Sequence, residues 1–200
     1  MLIGEDVMLR PFTPDDVQRV GEWINSPQCH GPYSNFWFRA MRDLEKRYDE
    51  DGLLAPDRGQ LVLATPDQPL VGIASYWTPV PGFDIREVQV LVPEPELRQG
   101  DLESRGLRLL VHYSFCGFPV HRVQAHCVAQ DERTAAHCAA AGMTQEGRLR
   151  ESYLLRGDYQ DELVFGILRH EWRQDARFEV LRRVFAEPPV PKSGGVGFVR

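Results

Sequence analysis

The chain has 200 residues, 42% of them hydrophobic and 10% aromatic, enough apolar material for one well-cored domain with room for an appendage. With 23 Lys+Arg against 29 Asp+Glu, its formal net charge of -6 removes any general electrostatic drive toward nucleic acid or anionic membranes and leaves only a local basic patch open. No apolar run reaches the roughly 18 residues of a membrane span, and "MLIGEDVMLR" lacks the basic start and apolar core of a signal peptide, so a soluble, cytoplasmic protein is expected.

A short strand is expected around Val7–Leu9. "TPDD" then offers Thr13 as N-cap, Pro14 at the first helical position and Asp16 three residues beyond the cap, with Val17, Val20 and Ile24 at helical spacing. "INSP" ends that helix before a polar, aromatic loop, "QCHGPYSNFWF", and a second helix is expected over Phe38–Tyr48. "QLVLAT", "PDQP" and "LVGIASYW" read as two strands joined by a turn, and "REVQVLV" from Arg86 as another strand. The loop "LRQGDLESRG" follows, then "LRLLVHYSF", where Leu107, Leu110, Val111 and Phe115 form the apolar stripe of a helix. "HRVQAHCVA" is a strand candidate. "DERTAAHCAAAG" is a short helix with Asp131 as N-cap and Gly142 just past its end, and "ESYLLRGDYQDELVFGIL" is a hairpin turning at Gly157 and Asp158. Trp172, Ala176, Val180 and Val184, four apart, predict an amphipathic helix over 173–187, and "PPVPKSGGVGFVR" predicts a flexible tail over 188–200.

This order of elements, with a strand feeding a loop that opens a helix in mid-chain, gives an α+β sheet with a ligand site at that helix N-terminus. The four cysteines, Cys29, Cys116, Cys127 and Cys138, form no CxxC pair and read as free thiols in a reducing compartment. His126-Cys127 and His137-Cys138 recur at an interval of eleven. Adjacent strand residues face opposite ways and no zinc-like close spacing appears, so no metal is expected.

The stretch "AAAGMTQEGRLRESYLLRGDYQDELVFGILRHEW" resembles the GNAT superfamily of N-acyltransferases, especially the branch of ribosomal-protein N-terminal acetyltransferases. Gly142, "EGRLRE", Gly157, Tyr159, Asp161 and Glu171-Trp172 occupy the places of that branch's motifs, and Met143 replaces its usual Phe. The likeness extends back, more weakly, to "LRPFTPDD" at Leu9. It implies a GNAT domain over 1–172: a mostly antiparallel, mixed seven-stranded sheet, splayed at its centre and flanked by helices. An acyl thioester, acetyl-CoA most simply, would place its pantetheine arm in the splay beside Leu91-Val92, with its pyrophosphate on the loop Arg98, Gln99, Gly100, Asp101, Leu102, Glu103 and Ser104. Family members use glycines there, because backbone N–H groups converge on phosphate at a helix N-terminus. Here Asp101 and Glu103 lie in or beside that nest, and a carboxylate facing a pyrophosphate costs on the order of 1 kcal/mol.

Three accounts of those carboxylates stay open. Their side chains point to solvent and CoA still binds; the donor is a carrier-protein pantetheine or an aminoacyl-tRNA ester; or the fold survives as a non-catalytic binding module. Asp131 and Thr134 stand where the family has Asn and Ser, and Cys138 stands where many members have a Tyr acid for the leaving thiolate. Glu87, on the strand beside the expected thioester, is the first candidate base, and His126, on one face with Gln124 and Val128, the second. Tyr33, Trp37, Tyr153 and Tyr159 are available on the acceptor side. The expected acceptor is an amine, of a small molecule or a protein N-terminus, with no membrane involved and a homodimer left open.

Overall fold

The computed structural model describes residues 1–4 and 6–184; the side chains of residues 99, 183 and 184, residue 5 and residues 185–200 lie outside that description. The tail expected over 188–200 and the end of the helix expected over 173–187 therefore fall outside the described residues.

The first two strands, β1 (Leu2–Ile3) and β2 (Met8–Arg10), form an antiparallel edge. Helix α1 (Pro14–Ile24) begins where expected. Thr13 donates from its backbone N–H and its hydroxyl to Asp16 Oδ2, each at 2.7 Å, which satisfies one of the helix-end donors. The second helix, α2 (Met41–Asp51), starts three residues later than the sequence suggests and ends on Gly52 at φ 63, a left-handed position suited to glycine. Strands β3 (Arg58–Ala64), β4 (Gly72–Trp77) and β5 (Ile85–Leu91) follow as an antiparallel meander. The second half comprises α3 (Leu102–Gly117), β6 (Arg122–Val128), α4 (Glu132–Ala140), β7 (Thr144–Leu155), β8 (Asp158–Leu168), α5 (Arg169–Gln174) and α6 (Glu179–Val184).

These strands make one eight-stranded sheet in the order β1-β2-β3-β4-β5-β6-β8-β7. The expected count of seven is one short, because Leu2–Ile3 adds an edge strand too brief to show periodicity. Along β3, Leu61 and Leu63 pack into the cluster under α3 while Val62 and Ala64 pack with Phe12, Val20 and Trp23 of the opposite layer. The sheet is thus buried on both faces, and strand alternation feeds two cores. At its centre, β5 and β6 run parallel and pair only over Ile85↔Arg122, Arg86↔Val123 and Glu87↔Gln124. Beyond Glu87 they part, while β5 stays paired to β4 as far as Leu91 and β6 to β8 as far as Val128. This is the expected splay. Gly72 of β4 lets β5 approach closely on its other side: a Cβ there would lie 2.5 Å from the Leu91 carbonyl oxygen.

The C-terminal segment differs from the single amphipathic helix read from the sequence. Asp175 takes extended backbone (φ -71, ψ 121) and accepts the Arg177 N–H at 2.8 Å, ending α5 and starting a new turn before α6. The four-residue spacing then loses its meaning. Trp172, Phe178 and Leu181 are buried, whereas Val180 is exposed. Among the described residues no helix is long and apolar enough to cross a membrane.

His112 of α3 is fully buried near Trp172, and burial, reinforced by Arg182, pushes its imidazole down to about 4. An unfolded histidine titrates near 6.5, so between those values the unfolded chain binds the extra proton. Stability is therefore full above pH 6.5 and falls as pH drops toward 4, by about 3 kcal/mol from this group. Urea titrations at pH 7 and pH 4.5 are expected to show that loss in the wild type and a smaller one in His112→Leu.

Candidate functional site

A cavity of about 290 Å³ lies where β5 and β6 part. Its walls are Val88–Leu91 of β5 and Ala125–Val128 of β6, its floor the first turns of α3 and α4, and its far side residues 31–34 with Tyr153 and Glu162 of the last hairpin. The loop 31–34 is held over it from outside: Asn35 donates to the Leu154 carbonyl at 2.6 Å and accepts the Arg156 N–H at 3.3 Å, which fastens the loop to the β7–β8 hairpin.

A polar row crosses the sheet at the splay. Gln124 Nε2 on β6 stands 3.3 Å from Glu87 Oε2 on β5 and 3.3 Å from His126 Nε2. A carboxylate accepts only, so the Gln124 amide must turn its NH₂ toward Glu87, and its second hydrogen is then directed at His126. This assigns His126 Nε2 as acceptor and puts the ring proton on Nδ1. That nitrogen faces Glu162 Oε1 of β8 at 3.6 Å, and Ser152 of β7 donates to the other Glu162 oxygen at 3.0 Å. His126 and Glu162 line the cavity. Glu87 lies behind Gln124, outside the lining.

The loop before α3 divides its polar groups among distinct tasks. Arg98 donates to the Val92 carbonyl at 2.7 Å and also to the carbonyls of Pro93 and Cys29, so its guanidinium is committed to main chain. Gly100 is extended and a Cβ there would meet nothing within 4 Å. Asp101 occupies the N-cap position of α3, but its side chain turns outward to Arg105 at 2.7 Å. Leu102 packs against the core, and buried Ser104 donates to the Asp101 carbonyl at 2.8 Å. Glu103 points inward, ion-pairing with Arg133 of α4 and standing 3.1 Å from His137 Nε2. Of the two loop carboxylates, then, one faces solvent and one faces the cavity.

No protein-family model matches the chain, and no curated protein matches it. Solved structures do. Spermidine N-acetyltransferase from Vibrio cholerae, in complex with CoA and spermine, aligns with a TM-score of 0.70 at 19% identity, covering 85% of this chain and 99% of that one. A GNAT-family acetyltransferase from Bacillus anthracis aligns with a TM-score of 0.70 at 17% identity, over 84% of this chain and 98% of that one. A chimera built on the Vibrio cholerae enzyme gives 0.72 at 18%, over 86% and 100%. The chain has the GNAT fold.

Within this GNAT fold several sequence candidates meet at one cavity. Leu91, Arg98, Glu103, His126, Asp131, Thr134, Cys138, Tyr33 and Tyr153 line it. Asp131 caps α4 by accepting the Thr134 N–H at 3.0 Å and hydroxyl at 2.7 Å, so both are occupied locally. Val92 is buried beneath the rim. Cys138 is almost fully buried, and burial pushes its thiol up to about 12. Trp37 and Tyr159 stand apart from the cavity: both are exposed, Trp37 under the Arg39 guanidinium and Tyr159 near the hairpin tip. Asn35 anchors the loop two residues short of Trp37, and Tyr159 is the second residue of β8 beside the turn. Glu162, Arg133 and His137 are the cavity groups the sequence reading missed. Arg133 and His137 are four apart on a predicted helix beside the candidate Thr134, a spacing that places them on one face. Glu162 gave no signal of its own. Among the described residues no group of three His, Cys, Asp or Glu side chains is placed to hold a metal ion.

Proposed function

We propose that the protein is an N-acyltransferase that moves an acyl group, most simply acetyl, from a CoA thioester to a primary amine by direct attack within a ternary complex. One observation carries this reading: the cavity opens where β5 and β6 part, so β5 offers an unpaired strand edge over Val88–Leu91 to an extended pantetheine amide chain. The Vibrio cholerae neighbour with CoA and spermine supports the same donor and an amine acceptor.

The chemistry needs a neutral amine, a polarised thioester carbonyl and an exit for the thiolate. Strand β5 supplies backbone N–H groups for the carbonyl. The amine enters from the side of Tyr33 and Tyr153, where the Glu162 carboxylate favours a cation. His126 and Glu162, facing the cavity, take its proton. Glu87 acts on them only through Gln124, which the amide's double hydrogen bond holds in place. Cys138 is a poor acid for the leaving thiolate, since a thiol held near 12 gives up its proton less readily than an ordinary thiol near 8.5 accepts one. The proton released by the attacking nitrogen serves instead, so no covalent enzyme intermediate is required.

Release of free thiol from acetyl-CoA in the presence of a panel of primary amines tests the reading, with calorimetric titration of acetyl-CoA alongside. Binding without thiol release from any amine would leave a CoA-binding module. Absence of both would remove the CoA-dependent acyltransferase. Glu87→Gln keeps a group that can pair with Gln124 and is expected to lower turnover less than about tenfold; a larger loss, confined to low pH, would restore Glu87 as the base. A second reading, with the acyl group delivered on a carrier-protein pantetheine or an aminoacyl-tRNA ester, draws on Glu103, whose carboxylate faces the part of the cavity next to α3 and α4.

A further inference from the structure

Glu103 has no counterpart in a glycine-lined phosphate nest. It sits in the first turn of α3 with its side chain 15% exposed, and its carboxylate crosses the cavity floor to α4. There it pairs with Arg133 and stands 3.1 Å from Nε2 of His137. Arg133 and His137, one turn apart on α4, present their nitrogens to the cavity together. His137 Nε2 is buried without a hydrogen bond, close to the Glu103 carboxylate but not aligned with it. Burial, and then Arg133, push the His137 imidazole down, so a second anion is held chiefly by Arg133. Arg98, the other guanidinium at this end, donates to three carbonyls through Nε and Nη2, and its charge also acts on Arg133. Asp101 turns outward to Arg105, and its charge still reaches His137, where it opposes the larger effects of burial and Arg133.

We propose that Glu103 is a donor-selecting residue: its carboxylate fills the anion seat made by Arg133 and His137, and a phosphate-bearing thioester binds there only by displacing it. The proposal rests on the acyltransferase reading for the identity of the ligand, but not for the existence of the seat. Carboxylate and phosphate oxygens compete for the same guanidinium donors, and the one already attached to the chain has the advantage of proximity. A thioester without an anion at this position binds with Glu103 in place. Glu103 thereby handicaps donors carrying a diphosphate relative to those that present pantetheine alone.

The test is calorimetric titration of the full-length protein with inorganic pyrophosphate and with CoA, in wild type, Glu103→Gln, Glu103→Asp and Arg133→Met. Glu103→Gln is expected to bind both probes about tenfold tighter than wild type, since the competing charge is gone. Glu103→Asp, whose shorter side chain withdraws the charge from α4, falls between the two, and Arg133→Met binds more weakly than wild type. Unchanged or weaker binding by Glu103→Gln in a protein whose melting temperature is preserved would overturn the proposal. So would the absence of pyrophosphate binding from every variant. Failure of the acyltransferase reading looks different: pyrophosphate ranks the variants as stated, yet neither wild type nor Glu103→Gln releases thiol from acetyl-CoA with any amine.

Discussion

His126→Ala is expected to lower kcat/KM for acetyl transfer about 100- to 1000-fold, the usual contribution of a positioned general base, with the KM for acetyl-CoA moved little. The expectation follows from a hydrogen-bond deduction. Gln124 must donate toward Glu87, so it donates toward His126 as well, and the imidazole keeps its proton on the Nδ1 that faces Glu162. An incoming ammonium therefore meets a neutral ring backed by a carboxylate, the arrangement that best accepts a proton and stabilises the resulting imidazolium. Glu162→Gln keeps the shape and the Ser152 contact but removes that charge; its expected loss is about tenfold. In the double variant the two losses are expected to be less than additive, because they act on one proton transfer. Steady-state kinetics at saturating acetyl-CoA checks all three. Retention of more than half the wild-type rate by His126→Ala would move the base elsewhere, with Glu87→Gln as the next measurement.

How far such a site can be read from sequence depends on which residues carry periodic or positional signals. Thr13 and Asp131 were legible at helix starts because capping needs a short polar side chain at one fixed offset: Asp131 accepts the Thr134 N–H, and at Thr13 the contact is made by Asp16, which accepts the Thr13 N–H and hydroxyl. His126 was legible because strand alternation fixes its face once Gln124 and Val128 are on it. The splay could not come from alternation, which is the same for a paired and an unpaired strand; it entered through family resemblance, and the three-pair register of β5 with β6 bears it out. Glu162 was missed because it lies on β8, thirty-six residues after His126 in a strand whose partner is β6, and only the register His126↔Val164 brings it near. The C-terminal stripe failed for the opposite reason: its spacing was regular, but Asp175 satisfies a backbone donor of its own and restarts the chain in a new direction.

The loop residues show the same limit at single side chains. The family resemblance implies a phosphate-binding role for Arg98, yet its guanidinium donates to the carbonyls of Val92, Pro93 and Cys29, tying the end of β5 to the turn after α1. Two of those carbonyls, of Val92 and Pro93, follow directly on β5 where it has left β6, so a side-chain donor satisfies them in place of a ladder. Arg98→Ala is accordingly expected to lower the stability of the ligand-free protein by about 3 kcal/mol, as several charge-assisted hydrogen bonds are lost together. For a domain of this size that corresponds to a fall of about 10 °C in melting temperature. Arg98→Lys recovers only part of it, because one ammonium cannot span carbonyls on two sides. A phosphate ligand would behave otherwise: its removal would leave the ligand-free melting temperature in place and lower only the increment produced by acetyl-CoA. Thermal melts of Arg98→Ala with and without acetyl-CoA separate these outcomes, and a variant that melts with the wild type when free would return Arg98 to the donor's phosphates.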